Sequence, residues 1–390
     1  MIPDLMIRAM AESKLAIHFV IMPLEERDLS RSAVILLDRL RVGGTEKQGV
    51  WLDAALRQCG WQCHLRLLFP EDTECERSSS VPVADGGLAV LRSFLGVLQE
   101  LRDSRPDVLI CMGRTANSLG FLAKLLFPGL KLVTTCRTNR ALPLLYRCSL
   151  RRSERCIANS QWAADQVGLV IAGAPERVVH IENALLRPHL FDLDRSPAAK
   201  AAARIGLGLA ADTSVLCNIS SFVPGKNKGD LLSAFARSRI DPTAVLLLVG
   251  EGSERAKCEQ YAQELGIGDR VRFFGKADAI EPFLQVSDLF VSTSLRDSLP
   301  NALVEAQAAG LPVVAYDVAG AAEAFESERS GLAVTSGEVD AFARAIERLM
   351  SSPKLRHDFG AYARTRASAL YAPEVIAARY DTVLRGLFDV

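Results

Sequence analysis

The chain has 390 residues, 49% of them hydrophobic and 24% charged, which is typical of a globular protein too long for one ordinary core and suited to two domains. Its 46 basic and 46 acidic residues give a formal net charge of zero, which argues against the overall basic field of a nucleic-acid binder. The nine cysteines are scattered without paired C-x2-C spacing, so we expect neither a zinc site nor a disulfide framework, and we interpret them as reduced thiols of a cytoplasmic protein.

Residues 1–31 are predicted to form an N-terminal extension. Their apolar run, residues 15–24, is too short to span a bilayer, and the charges that follow it argue against a cleaved signal peptide. We therefore expect no transmembrane helix. The run could be an extra edge strand, a helix at a membrane surface or part of an over-long gene start, and the sequence leaves these three interpretations open.

Short apolar runs alternate with helical patterns from residue 33 onward, which predicts a parallel Rossmann-like domain over residues 32–185. Its strands are predicted at 33–37, 62–68, 108–111, 131–135 and 155–158, and its clearest helices at about 46–58 and 87–102. Prolines and an alanine-rich stretch between residues 186 and 212 indicate a connection and a first helix.

The same alternation continues and predicts a second Rossmann-like domain over residues 186–370, so that the predicted fold class is α/β. The strands of this domain are predicted at 214–219, 244–249, 271–274, 288–294 and 313–316, and its helices at 229–236, 253–265, 280–286 and 300–309. A further amphipathic helix is predicted within residues 371–390.

Residues 294–316 contain the most informative pattern. Pro300 suits the first position of a helix and Gly310 suits the position after its end, so this helix starts just beyond the carboxyl end of a buried strand. Free backbone N–H groups at such a start can hold a diphosphate without a metal ion. Asp297 in the preceding loop and Glu305, eight positions later, could accept hydrogen bonds from hydroxyls of one sugar nucleotide. For an isolated pair, a helix cap and a solvated helix residue would be the simpler interpretation.

Several motifs give this pattern its context. Asp297 to Glu305, followed by Ala-x3-Gly-x-Pro-Val-Val, resembles the E-x7-E segment of retaining glycosyltransferases of the GT-B fold in family 4, the glycosyl transferases group 1. Further segments follow in that family's order, namely a glycine loop at 43–46, a strand and turn at 157–160, an interdomain segment at 181–183, a phosphate-lysine loop at 224–229 and a nucleotide loop at 249–255. The resemblance covers about residues 32–385, and several motifs in order are far more specific than any one alone.

The resemblance implies that two Rossmann-like domains face each other across a cleft and that the helix of residues 371–390 returns to the first domain. It implies a retaining, metal-independent transfer of a hexosyl or N-acetylhexosaminyl group from a nucleotide-diphosphate sugar, expected to be UDP-linked, to an acceptor hydroxyl. No cofactor besides this donor substrate and no nucleic-acid partner are expected. The acceptor would be a glycan or lipid-linked glycan of bacterial polysaccharide or lipopolysaccharide synthesis, handled in the cytoplasm in peripheral contact with the inner membrane.

The family motifs also imply roles for individual residues. Lys226, with Lys228 as its competitor, would stabilise the charge of the departing diphosphate, and Asp297 and Glu305 complete the expected catalytic set. The residues expected at the donor are Gly43, Gly44, Ser221, Lys226, Gly250, Gly252, Ser298, Leu299, Pro300, Asn301 and Glu305.

The chain departs from the family pattern at several positions. Ser221 stands where most relatives carry an arginine, and Asp297 and Ser298 replace a glutamate and a glycine. Two histidines that relatives often place after strands of the first domain are missing. Arg114 and Arg137 occur there instead and are candidates for contact with phosphate or acceptor, although a surface arginine is an equally good interpretation of Arg137.

These departures keep other functions open. A catalytically silent GT-B-like binding or scaffold protein is the main alternative, and a sugar-nucleotide epimerase fits the motifs less well. Glu323 is either a second acidic position near the donor or a helix cap. The basic and apolar stretch 137–155 could touch an anionic membrane surface or form a plain solvated helix face.

Overall fold

The computed structural model describes residues 31–39, 44–69, 83–138 and 141–389, with the backbone alone for 83–91. The N-terminal extension and the predicted site residue Gly43 lie outside the described residues. The described residues form two parallel six-stranded sheets with flanking helices. None of these helices combines the length and the apolar character that crossing a bilayer requires.

The first sheet has the strand order β2-β1-β3-β4-β5-β6. Its strands are β1 Ser32–Leu37, β2 Gln62–Leu67, β3 Val108–Met112, β4 Lys131–Cys136, β5 Arg155–Ala158 and β6 Val178–His180. Its helices are α1 Gly44–Gln58, α2 Val83–Ser104, α3 Arg114–Leu126, α4 Leu144–Arg152 and α5 Gln161–Val170. The central strand β3 is buried along its whole length, as expected for a continuous apolar run in a sheet covered on both faces.

The second sheet has the order β12-β11-β10-β7-β8-β9. Its strands are β7 Val215–Ile219, β8 Val245–Val249, β9 Val271–Phe274, β10 Leu289–Ser292, β11 Val313–Asp317 and β12 Gly331–Thr335. Its helices are α6 Pro197–Gly206, α7 Lys228–Arg237, α8 Arg255–Glu264, α9 Glu281–Val286, α10 Asn301–Ala308, α11 Ala321–Ala324 and α12 Val339–Met350. Both sheets are the Rossmann-like sheets predicted from the alternation of strands and helices.

Two C-terminal helices, α13 Pro353–Tyr371 and α14 Pro373–Arg385, connect the domains. Ala367 and Tyr371 of α13 pack into the core of the second domain, together with residues of α10. Ile376 and Tyr380 of α14 pack into the core of the first domain, against β1 and β3. The predicted return of the last helix to the first domain is confirmed.

The boundaries of two predicted helices need correction. Pro300 is the N-cap of α10, with φ −75° and ψ 109°, and the first helical residue is Asn301. Tyr371 ends α13, and the returning helix starts at Pro373, because proline begins a helix readily but cannot continue one. Gly310 has φ +72°, the left-handed conformation expected just after a helix end.

Candidate active site

A pocket of about 320 Å³ lies where the carboxyl ends of the two sheets meet. Arg137 follows β4, Asn159 follows β5, and Ser220 and Ser221 follow β7, so the polar lining comes from both domains. The other polar lining residues are Thr45, Asn183, Asn218, Lys226, Ser292, Asp297, Ser298 and Asn301. Ligands of open α/β sheets bind at this edge, beyond the carboxyl ends of the strands.

The helix α10 begins at this pocket. No side chain caps its start, and Asn301 and Ala302 line the pocket, so unsatisfied N–H groups and the positive end of the helix dipole face it. Gly44 of α1 lies opposite, and a Cβ added there would come within 3.0 Å of Asn301 Nδ2. The uncapped start of α10 therefore favours an anionic group in the pocket.

The loop before α10 is held by a close backbone contact. Gly320 has φ +79°, and a Cβ added to it would lie 1.7 Å from the carbonyl oxygen of Ser298. Any other residue would push this loop away, so glycine is required at this position. The contact positions Asp297 and Ser298 at the mouth of the pocket.

Lys226 and Asp297 form an ion pair in this pocket. Lys226 ends a short 3-10 turn, Pro224–Lys226, and the left-handed conformation of Asn227 turns the chain into α7. The ammonium donates to both carboxylate oxygens of Asp297, at 2.6 and 2.9 Å. Asp297 is therefore not a helix cap, and an entering diphosphate would compete with it for the lysine.

Glu305 lies one turn into α10, and its side chain is only 20% exposed. Arg187 approaches it, with Nε 3.8 Å from Oε1, but the same arginine makes a closer bond of 2.7 Å with Glu281. Burial raises the pKa of Glu305 to about 7, although the charges of Arg187 and Lys47 oppose this shift. Glu305 is thus a desolvated carboxyl group and not a solvated helix residue, but it is not among the described residues that line the pocket.

Arg137 is held between the pocket and the returning helix. Its guanidinium donates to Asn183 Oδ1 and, at 2.8 Å, to the hydroxyl of Tyr380 in α14. Its Nε is buried and has no hydrogen-bond partner among the described residues. The structure therefore excludes a freely solvated surface arginine and brings Arg137 to the same pocket as Lys226.

Polar contacts join the domains around the pocket. Ser298 donates to Asn159 at 2.6 Å, and Asn183 donates to Asn301 at 2.9 Å. Each pair connects a residue that follows a strand of the first sheet with a residue near the start of α10. The structure therefore shows the cleft in a closed arrangement.

Glu323 makes a further contact between the domains. Its carboxylate accepts hydrogen bonds from the backbone N–H groups of Gln161 and Trp162, at 2.5 and 3.0 Å, where α5 begins. Its own backbone oxygen accepts bonds from Arg366 and Tyr371. Of the two roles expected for this residue, the structure shows the cap, and the capped helix belongs to the opposite domain.

Other predicted residues differ in where the structure places them. Ser221 and Leu299 line the pocket. Gly250 and Gly252 are not among the described residues that line the pocket. They allow a close approach of the backbone instead, since an added Cβ would lie 2.2 Å from the carbonyl oxygens of Ser220 and Phe222, respectively. Their contact with a nucleotide stays a prediction.

Arg114 is exposed at the start of α3 and is not among the described lining residues. The helix start beside it is capped by Asp38, which accepts bonds from the N–H groups of Thr115 and Ala116 at 3.1 and 2.7 Å. A contact of Arg114 with phosphate or acceptor also stays a prediction.

The sequence interpretation missed three asparagines that line the pocket, Asn159, Asn183 and Asn218. Asn159 and Asn183 lie within family motifs and follow buried strands closely, a signal that could have identified them. It also missed Tyr380, whose distance from Arg137 in sequence hides their contact.

Two family models match the chain. The model described as Glycosyltransferase Family 4 matches residues 42–185, and the model described as Glycosyl transferases group 1 matches residues 200–366. The fold and the cleft define a two-domain protein of the GT-B class. The chain belongs to family 4 of these proteins, the glycosyl transferases group 1.

Relatives of known name match parts of the chain. The lipopolysaccharide core biosynthesis glycosyltransferase LpsE of Rhizobium meliloti is 37% identical over 39% of this chain and 44% of its own length. The N-acetyl-alpha-D-glucosaminyl L-malate synthase of Bacillus anthracis is 31% identical over 45% of this chain and 46% of its own length. D-inositol 3-phosphate glycosyltransferase 2 of Catenulispora acidiphila is 30% identical, with coverages of 61% and 57%. The chain thus spans about half the length of these relatives.

Solved structures support the fold. HepE of Anabaena in complex with UDP has a TM-score of 0.74 and 22% identity, over 91% of this chain and all of that one. A glycosyltransferase from Rickettsia africae has a TM-score of 0.78 and 16% identity, over 93% of this chain and 100% of that one. These likenesses extend across both sheets and agree with the GT-B architecture.

Proposed function

We propose that the protein is a retaining glycosyltransferase that moves a hexosyl or N-acetylhexosaminyl group from a nucleotide-diphosphate sugar to an acceptor hydroxyl. The observation that carries this proposal is the pocket between the sheets, where the uncapped start of α10 lies beside Lys226 and Arg137. A diphosphate fits there because N–H groups and two cations can surround it without a metal ion. The UDP complex of HepE favours a UDP-linked donor.

Lys226 would supply most of its effect as the phosphate leaves. In retaining front-face transfer, the bond from the acceptor oxygen to the anomeric carbon forms on the face where the bond to the phosphate oxygen breaks. The acceptor proton passes to that phosphate oxygen, so no enzyme base is needed. Lys226 then stabilises the growing negative charge, and Asp297, once released from the lysine, can accept a hydrogen bond from the sugar.

Glu305 would hold the ribose of the donor. Its carboxyl group lies on α10, one turn beyond the proposed diphosphate position. An ionised carboxylate accepting a ribose hydroxyl is worth roughly 1.5 to 3 kcal/mol. At pH 8, where this carboxyl is ionised, Glu305→Gln should therefore weaken donor binding about ten-fold or more, and unchanged affinity in calorimetry at that pH would contradict this role.

The acceptor is proposed to be a glycan or lipid-linked glycan of surface polysaccharide synthesis, as the name of LpsE suggests for that relative. One face of α4 supports a peripheral contact with the inner membrane. Leu144 and Leu145 are 72% and 43% exposed, and Arg147, Arg151 and Arg152 are exposed on the same helix. Exposed apolar residues flanked by arginines suit an anionic lipid surface.

A panel of nucleotide sugars tests the proposed activity. The protein is incubated with UDP-glucose, UDP-N-acetylglucosamine and GDP-mannose, with and without EDTA, and both donor hydrolysis and thermal shift are measured. We expect one donor to stabilise the protein and to be hydrolysed slowly, and EDTA to have no effect. A silent scaffold would show no shift with any donor, and an epimerase would convert its donor without an acceptor.

A further inference from the structure

Lys228 is a buried lysine directly beneath the pocket. It is the first residue of α7 and only 4% exposed. Its ammonium donates to Asn218 Oδ1 and, at 2.8 Å, to Ser220 Oγ, and it lies 4.4 Å from the ring centroid of Phe222. Asn218 and Ser220 both line the pocket, so the ammonium is one side chain away from its interior.

Within the described part of the chain, no carboxylate lies within 4.0 Å of this ammonium. The titratable and charged groups around it are Cys217 in β7, Lys226 in the preceding turn, Asp230 on its own helix, and Glu254, Lys257, Cys258 and Tyr261 at α8. Burial raises the pKa of both thiols, so they are neutral at pH 7.

The two nearby carboxylates have other partners. Asp230 accepts bonds from Asn227 and Tyr316, each at 2.7 Å. Glu254 lies 3.6 Å from Lys257. A buried cation without a counter-charge is costly, and the cost is relieved when an anion binds nearby.

The bonds of Ser220 connect this cation to the pocket. The Ser220 hydroxyl accepts from Lys228 and donates to Asn218 Oδ1 at 2.9 Å. Rotation of this hydroxyl toward the pocket would let it donate to a phosphate oxygen while it still accepts from the ammonium. The neighbouring Ser221 adds no charge of its own. The positive charge on this side of the pocket therefore comes from Lys226 and from the buried ammonium of Lys228.

We propose that Lys228 is a positioning residue for the donor diphosphate, acting through Ser220 as a second, hidden cation whose protonation is coupled to donor binding. This inference rests on the proposed function. Lys228 does not compete with Lys226 for direct contact, because its side chain is directed to the floor of the pocket and not into it.

The coupling has a defined direction. Desolvation lowers the pKa of Lys228 from 10.5 to about 7, and the charge of Lys226 contributes to the decrease. A bound diphosphate favours the ammonium and raises this pKa again. Donor affinity should therefore be greatest below about pH 7, the pKa of Lys228 in the free protein, and should fall until the pH passes the higher pKa of Lys228 in the complex. The total loss of affinity is about ten-fold for each pH unit between these two pKa values.

The test is calorimetry of UDP-glucose binding, with GDP-mannose in parallel, between about pH 6 and 8.5, where the diphosphate ester itself does not titrate. We compare the wild type with Lys228→Met, Ser220→Ala and the control Lys354→Met, which removes an exposed lysine of α13 that is paired with Asp358. Glu305 titrates in this range too, but all four proteins contain it, so differences between them isolate Lys228.

We expect Lys228→Met to bind about ten-fold more weakly at pH 6.5 and to approach the wild-type affinity at pH 8.5. Its melting temperature at pH 6.5 should not fall, since a buried unpaired charge has been removed. Ser220→Ala keeps the lysine and should lose about three-fold in donor affinity at pH 6.5, a smaller loss that also disappears toward pH 8.5. Lys354→Met should match the wild type at every pH.

Two results would overturn the inference. One is a constant ratio of affinities between wild type and Lys228→Met across the pH range, which would mean that the lysine has a structural role only. The other, decisive even if Lys228→Met fails to fold, is wild-type pH dependence in Ser220→Ala. If the wild type itself bound neither nucleotide sugar, the proposed function would fail together with this inference, whereas failure in the variants alone leaves the proposed function standing.

Discussion

The two carboxyl groups at the start of α10 have opposite electrostatic environments. Asp297 is paired through both oxygens with Lys226. Glu305 is desolvated, and the nearest cation, Arg187, makes its closer bond with Glu281. Asp297 is therefore suited to exchange partners when a donor enters, whereas Glu305 is a carboxyl group that gains from a hydroxyl partner.

The pKa of Glu305 predicts a pH-dependent effect of Glu305→Gln on stability. Burial raises this pKa from 4.5 to about 7 in the folded protein, so folding favours the neutral carboxyl group. The stability that the neutral group contributes is therefore fully present below pH 4.5 and is lost as the pH rises through 7. Glu305→Gln should match the wild type near pH 4.5 and exceed its free energy of unfolding by roughly 2 to 3 kcal/mol at pH 8.

Glu281→Gln is the matched control for chemical denaturation at both pH values. Although burial opposes it, hydrogen bonds from its own backbone, His189 and Arg187 keep the pKa of Glu281 below its ordinary value. This control should therefore lose stability at pH 8. An equal effect of Glu305→Gln at both pH values would show that Glu305 is not a buried acid.

Lys226→Ala should affect turnover more than donor affinity. The lysine stabilises charge that grows as the phosphate leaves, so we expect turnover to fall about 100-fold and donor affinity only about ten-fold. Steady-state kinetics with the donor found in the panel, together with calorimetry, separate the two effects. The exposed Lys257→Ala serves as the control, and equal losses in turnover and affinity would assign Lys226 to ground-state binding.

At the scale of elements, the starts of two helices are used differently. The start of α10 has no capping side chain and faces the pocket, whereas the start of α5 is capped by Glu323 from the opposite domain and, within its own chain segment, by Ser160. The N-terminus of α10 can therefore bind a ligand, whereas the N-terminus of α5 is part of the contact between the domains.

Glu323→Ala should favour opening of the cleft. Loss of a helix cap costs about 1 kcal/mol, and here that cost falls on the contact between the domains. We expect a lower melting temperature, a larger radius of gyration in small-angle scattering without nucleotide, and about five-fold weaker donor binding. Glu323→Gln keeps one acceptor oxygen, so its melting temperature and donor affinity should lie between those of the wild type and Glu323→Ala. An unchanged radius of gyration in Glu323→Ala would rule out a role of Glu323 in closing the cleft.

In the whole molecule, the returning helix α14 links the core of the first domain to the pocket. Its Tyr380 packs in the core of the first domain and bonds Arg137, which bonds Asn183, which in turn bonds Asn301 at the start of α10. Packing of α14 and alignment of the polar lining are therefore linked through one chain of hydrogen bonds.

Tyr380→Phe tests this link. Removing the hydroxyl should cost about 1 kcal/mol of stability and leave Arg137 less fixed, so that turnover falls about ten-fold. Tyr362→Phe, which removes a hydroxyl bonded to Glu326 away from the pocket, should leave turnover unchanged. Wild-type turnover of Tyr380→Phe with a verified donor would mean that Arg137 needs no support from α14.

The two Rossmann-like domains, the helix α10 and the loop that carries Lys226 could be predicted from the sequence alone. These features depend on local periodicity and on glycine and proline positions, which act over a few neighbouring residues. The resemblance to family 4 followed from the order of the same local motifs.

Which charged groups meet could not be predicted from the sequence and follows from the tertiary packing. The pairing of Lys226 with Asp297, the burial of Lys228 and Glu305, the closed contact of Glu323 with α5 and the bond between Tyr380 and Arg137 join residues far apart in sequence. Such contacts depend on how the sheets and helices pack and on the desolvation that packing causes, and neither is encoded in a short window of residues.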